Sequence, residues 1–128
     1  MKFKKISTIA SLCLSAALSF NASATNAHYC FGKVSNVQLS TNGYVSASFS
    51  GVGSTPLKVT NSVVCSLNGG TDGHTGEYCN AMYSALLLAM TSQNTVTMWF
   101  RNNESSCPTG DWISLISKGL YHFRVVKV

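Results

Sequence analysis

The stretch Leu57–Arg101, LKVTNSVVCS-L-NGGTDGHTG-EYCNAMYSALLLAMT-SQN-TVTMWFR, decides the fold. Its first ten residues, Leu57–Ser66, are rich in β-branched side chains and read as a strand. Asn68–Gly76 holds four glycines and no apolar side chain, so it is a loop. Glu77–Thr91 then lines up Tyr78, Met82, Ala85 and Ala89 on one helical stripe and Cys79, Tyr83, Leu86 and Met90 on the next. Glu77 in the first turn suits the positive end of the helix dipole. Asn80, Ser84 and Thr91 leave only a thin polar strip, which predicts burial on more than one side and hence a partner subunit. After Ser92-Gln93-Asn94, Val96, Met98 and Phe100 alternate with Thr95, Thr97, Trp99 and Arg101. That period of two predicts a strand over Thr95–Arg101 with Trp99 on its polar face.

Outward from this stretch the signals are those of further strands. Gly32–Ser40 reads as a strand with an irregularity near Ser35-Asn36, and Thr41-Asn42-Gly43 is a hairpin turn because Asn-Gly tolerates positive φ. Tyr44–Ser50 alternates Val45, Ala47 and Phe49 against Tyr44, Ser46, Ser48 and Ser50 before Gly51–Pro56 breaks the run. On the C-terminal side, Asn102–Asp111 is a polar loop holding Cys107-Pro108. Trp112–Ser117 and Gly119–Val128 read as two strands, with Trp112 assigned to the core. Three strands, one helix, then two or three strands predict a mainly β fold. The arrangement expected is a small OB-fold-like antiparallel barrel of five to six strands, with one helix between strands 3 and 4.

Residues 1–24 carry the three parts of a secretory leader. Lys2, Lys4 and Lys5 form the positive end, Ile6–Phe20 the apolar run, and Ala22-Ser23-Ala24 the small residues before cleavage. The apolar run is shorter than the ~20 residues a membrane span needs, so no stable membrane anchor is expected. Residues 25–128 are then a single exported domain, secreted or periplasmic. Its net charge falls from the chain's +5 to a balance of +2, six basic residues against four acidic. The basic residues are scattered rather than striped, which argues against a nucleic-acid partner.

Export also decides the cysteine arithmetic. Cys13 leaves with the leader; Cys30, Cys65, Cys79 and Cys107 remain and imply two disulfides in an oxidising compartment. Three connectivities are open on spacing alone. The favoured one joins Cys65 to Cys79 around the Gly-rich loop and Cys30 to Cys107. No CxxC pair is present, so a metal site around His28 and Cys30 is not expected, and nothing points to a cofactor.

Enzyme chemistry finds no support. Asp72 and His74 sit two apart on a Gly-rich loop that would not hold an imidazole in catalytic register. There is no G-x-S-x-G elbow. Glu104 and Asp111 share a loop as a paired-carboxylate candidate but nothing else marks them. Gly69-Gly70-x-x-Gly73 lacks the Gly-Lys-Ser/Thr ending of a phosphate loop. A non-enzyme is expected, with no catalytic residues.

Binding is the better reading. An exposed aromatic face beside amide, hydroxyl and charged groups is how proteins hold sugars, the ring against C–H surface and the polar groups on hydroxyls. Trp99, Arg101, Asn102 and Asn103 form one such candidate set. Tyr44, Ser46 and Ser48 form another. The alternative for Trp99 is burial against a neighbouring subunit or loop.

Val64-Cys65-Ser66, a loop, Tyr83-Ser84-x-Leu86-Leu87 and a strand with Val96 and Trp99 together resemble the subtilase-cytotoxin B-subunit-like family of small exported bacterial proteins. The resemblance covers roughly Gly32–Arg101. It implies an OB-fold toxin B-like subunit that assembles into a pentameric ring and binds sialylated host or surface glycans. Whether a toxic A-type partner accompanies it is left open. The competing expectation is a small exported inhibitor or interaction protein, monomeric or dimeric, that presents Asn68–Gly76 or Asn102–Asp111 to another protein.

Overall fold

The computed structural model describes residues 28–70, 74–101 and 106–127. The leader reading over residues 1–24, together with Asp72, Asn102, Asn103 and Glu104, lies outside the described residues. The elements run β1 His28–Leu39, β2 Tyr44–Gly51, β3 Lys58–Ser66, α1 Gly76–Ser92, β4 Thr95–Phe100, β5 Thr109–Asp111 and β6 Leu120–Val126. They form a six-stranded mixed sheet in the order β5-β3-β2-β1-β4-β6.

Local chemistry accounts for most of these boundaries. The β1–β2 ladder shifts register between Val34 and Asn36, so the irregularity expected at Ser35-Asn36 is a β-bulge. Asn42-Gly43 makes the hairpin turn, with Gly43 at φ +86°. The hydroxyl of Thr75 accepts from the Tyr78 N–H (3.1 Å) and caps α1 one residue before Gly76. Gln93, in the left-handed region, ends the helix.

The core lies between the helix and one face of the sheet. Val45, Ala47 and Phe49 of β2, Val59 and Val64 of β3, and Val96, Met98 and Phe100 of β4 supply the sheet side. Cys79, Met82, Leu86 and Ala89 form the fully buried stripe of α1. Tyr78, Tyr83 and Met90 are half-buried at its margins, while Leu88 is 71% exposed. Two disulfides join the elements: Cys65–Cys79 ties β3 to α1, and Cys30–Cys107 ties the start of β1 to the segment before β5.

Five expectations need correction. β1 begins at His28, not Gly32, because the earlier residues find β4 as a ladder partner, from His28↔Phe100 to Lys33↔Thr95. β5 forms inside the stretch read as a polar loop, and it pairs with β3 in parallel, so the sheet is mixed rather than all antiparallel. Trp112–Ser117 is not a strand. Three bonds, from Trp112 to Thr60 and between Val63 and both Ile113 and Leu115, continue along β3, and the chain then turns through Leu115–Gly119. Because of that turn, β5 and β6 stay unpaired with each other at opposite edges, and the sheet does not close into a barrel. Trp112 is not core: it adopts φ +56° and is 72% exposed.

Candidate functional site

Alternation sends Tyr29, Phe31 and Lys33 of β1, ahead of its bulge, and the odd-numbered residues of β4 to the face opposite the helix, and cross-strand register then stacks them in rows. Tyr29 pairs with Trp99, and Trp99 with His122. The next row is Phe31, Thr97 and Arg124; the third is Lys33, Thr95 and Val126. Three neighbouring strands at ~4.8 Å spacing make each row about 10 Å across.

The first row is an aromatic surface. Trp99 meets the His122 ring edge-on at 4.7 Å and lies 6.2 Å from Tyr29, which in turn meets Phe31 edge-on at 5.5 Å. Tyr29 is 49% exposed, and His122 and Arg124 are exposed, whereas Trp99 and Phe31 are half-buried. The Arg124 guanidinium lies 5.3 Å from the Trp99 ring centroid, within cation–π range. Arg101 stands 4.0 Å over Tyr121, the extra residue of a register shift between Trp99 and Phe100.

Thr97 is fully buried although it faces away from the helix, and its hydroxyl has no hydrogen-bond partner. A strand position that should be wet is therefore covered by the side chains around it. Neither described carboxylate, Glu77 or Asp111, lies on β1, β4 or β6. Among the described residues the charges edging the platform are those of Lys33, Arg101 and Arg124, which favours anionic groups on whatever it binds.

Beyond Tyr29 the surface drops into a cleft of about 360 Å³, walled by His28, Thr55, Pro56 and Cys107. The Cys30–Cys107 bridge holds the Cys107 wall against β1. Among the described residues no three His, Cys, Asp or Glu side chains come together as a metal-holding group. No helix among them is long and apolar enough to cross a membrane.

The structure brings Trp99 and Arg101 of the first candidate set to one end of β4, and Asn102 and Asn103 fall outside the described residues. It does not bring the second set to them. Val45, next to Tyr44, pairs with Leu39, ten residues along β1 from Tyr29, about 33 Å of strand at ~3.3 Å per residue. Tyr44 is exposed and Ser46 half-buried, while the Ser48 hydroxyl is taken by the Asn61 N–H at 2.8 Å.

Tyr29, Phe31, His122 and Arg124 are the members that reading along the chain missed. Their parity was visible: Tyr29 and Phe31 alternate with Cys30 and Gly32, and His122 and Arg124 alternate with Phe123. What linked them to Trp99 was ladder register, which no local signal carries. No family model matches the chain, and no curated protein matches it, so the geometry of the platform is the guide to function.

Proposed function

We propose that this protein is an exported glycan-binding subunit that holds saccharides on the Tyr29–Trp99–His122 platform and works as a ring-shaped homo-oligomer. One observation carries the reading: three aromatic rings side by side on an uncovered sheet face, with Arg124 against the central indole and no carboxylate in the rows. Indole and phenol faces suit the C–H surface of a pyranose, and a guanidinium can pair bidentately with a sugar carboxylate. That combination favours acidic glycans, the sialylated class that the toxin B-like resemblance implies. The strand order supports the same family of folds. β3 alongside β5 and β4 alongside β6, with β5 and β6 consecutive in the chain, is compatible with an OB barrel opened along its last strand. Two disulfides fit an extracellular or periplasmic destination, in line with the leader over residues 1–24.

The test pairs a panel of immobilised sialylated and neutral glycans with Trp99→Ala in the oxidised protein. Wild-type protein binds sialylated members, and the variant binds at least about tenfold more weakly at unchanged native mass by light scattering. A variant that binds normally removes the platform from the site. A variant that falls apart into monomers assigns Trp99 to a subunit interface instead.

A further inference from the structure

A second cluster sits on the other half of the sheet, where β3 meets β5. The ladder pairs Thr60 with Asp111, and both are exposed. Gly110 shares the core-side register of Val59, so alternation after Asp111 would turn Trp112 inward. The left-handed backbone at Trp112 prevents this and leaves the indole 72% exposed. Such a conformation is strained for a bulky residue and persists only where its surroundings enforce it. Here they do. The Trp112 N–H donates to the Thr60 carbonyl (2.9 Å), the Val63 N–H to the Ile113 carbonyl (2.9 Å), and the Leu115 N–H to the Val63 carbonyl (2.8 Å).

Asn61, next along β3, is the second left-handed residue of this patch (φ +48°). Its N–H donates to the Ser48 hydroxyl at 2.8 Å, and its Oδ1 accepts from Gln38 Nε2 at 2.9 Å. Both ends of the residue are thus held, while the two donors of its side-chain Nδ2 have no partner among the described residues. Along the backbone, Asn61 follows Thr60, Asp111 is the ladder partner of Thr60, and Trp112 follows Asp111, so an amide, a carboxylate and an exposed indole come from neighbouring positions at one sheet edge.

We infer that this patch is a second saccharide subsite: Trp112 is the stacking face, and Asn61 and Asp111 read the hydroxyls of a neutral pyranose. Neutrality follows from the charges present. Asp111 and Lys58 are the charged side chains on the paired stretch of β3 and β5, and they are of opposite sign. An arginine like that beside Trp99 has no counterpart on either strand. The subsite does not depend on the Trp99 platform, because the two lie on opposite halves of the sheet.

The experiment is a titration of the isotope-labelled, oxidised protein with four probes. These are the methyl glycosides of β-galactose, β-glucose and α-mannose, and N-acetylglucosamine. The indole N–H signals of Trp112 and Trp99 and the side-chain amide of Asn61 are followed separately. At least one probe moves the Trp112 and Asn61 signals saturably with a Kd on the order of millimolar, leaves Trp99 unmoved, and does so equally in Trp99→Ala. Trp112→Ala and Asn61→Asp each weaken this at least about fivefold. Asn61→Asp keeps the shape and the left-handed tolerance of the residue and replaces its two donors by a negatively charged acceptor. The inference is overturned if none of the four probes shifts these signals at about 50 mM, a level that would reveal millimolar binding. It is equally overturned if Trp112→Ala binds as wild type. Signals that move with protein concentration and not with sugar would make Trp112 a protein contact and also overturn it.

Discussion

The two faces of β4 differ in what covers them, and the difference separates surface that holds the fold together from surface left to solvent. Val96, Met98 and Phe100 are fully buried beneath the helix side of the sheet, in contact with α1 and β6. One residue away, Thr95 and Trp99 are only half-buried, although Thr97 between them is covered by its neighbours, and Trp99 has an exposed tyrosine and an exposed histidine beside it. Both faces carry large apolar surface. On the inner one it is closed off by other elements; on the outer one it ends in solvent, edged by arginines. An aromatic row kept uncovered while the opposite face packs a complete core is surface available for a ligand.

The largest expected effect tests whether the outer face needs its covalent anchor. Cys30 points inward beside Met98, and its neighbour Tyr29 carries the platform. The Cys30–Cys107 loop spans 77 residues against 14 for Cys65–Cys79. On chain-entropy grounds it is worth about 4.5 kcal/mol against about 3. The Cys30→Ala/Cys107→Ala double variant should lose about 4 kcal/mol in urea unfolding. It should also lose the order of the Tyr29 end of β1, seen as accelerated amide exchange there. Loss confined to global stability, with Tyr29 still protected, would mean that the β4 ladder alone holds the platform.

Next comes the comparison of adjacent residues. Met98→Ala empties a fully buried site and should cost about 3 kcal/mol. Trp99→Ala, on the other side of the same strand, should cost no more than about 1 to 2 kcal/mol in the same urea experiment. If the two costs were equal, Trp99 would be a core residue in its own right and the contrast between the faces would fail.

The smallest effect sharpens the inner face. The Tyr78 hydroxyl is buried without a hydrogen-bond partner, packed edge-on between His74 and Phe123, and burial pushes its pKa above the ordinary tyrosine value. The folded state therefore holds this proton after the unfolded chain has released it. Stability from Tyr78 is complete below the ordinary tyrosine pKa and falls as pH rises from there through the raised folded value. Tyr78→Phe should leave stability at neutral pH unchanged or slightly higher and flatten the alkaline decline measured by urea unfolding between about pH 9 and 11. An unaltered alkaline slope would show that the hydroxyl is solvated in solution.

How far the chain discloses this arrangement depends on the range of each signal. The Ser35 bulge, the Asn42-Gly43 turn, the capped helix and the alternation of Thr95–Phe100 are all written within a few residues, and each is legible. So is Trp99 as an outward aromatic. Trp112 and its neighbours were not, because Ile113 and Leu115 alternate as a strand would, and period two cannot tell a ladder from a stretch that makes three bonds and then turns. The partners of Trp99 escaped for a related reason. Tyr29 and His122 reach it through two separate registers, across most of the chain's length, and register is a property of pairs of strands.

The two disulfides also set an order of maturation. Chains are made from the N-terminus, so Cys65 and Cys79 meet across a short loop while much of the C-terminal third is still to come. Short loops close at least entropic cost, so that pair is oxidised first. Cys30 must stay reduced until Cys107, near the other end of the chain, has arrived. During that interval Cys30 is the thiol that an oxidase could join wrongly to Cys65 or Cys79. Once paired and buried between β3 and α1, those two sulfurs are out of its reach. The helix that builds the core thus also acts as a proofreader of the covalent framework, reserving Cys30 for its native partner.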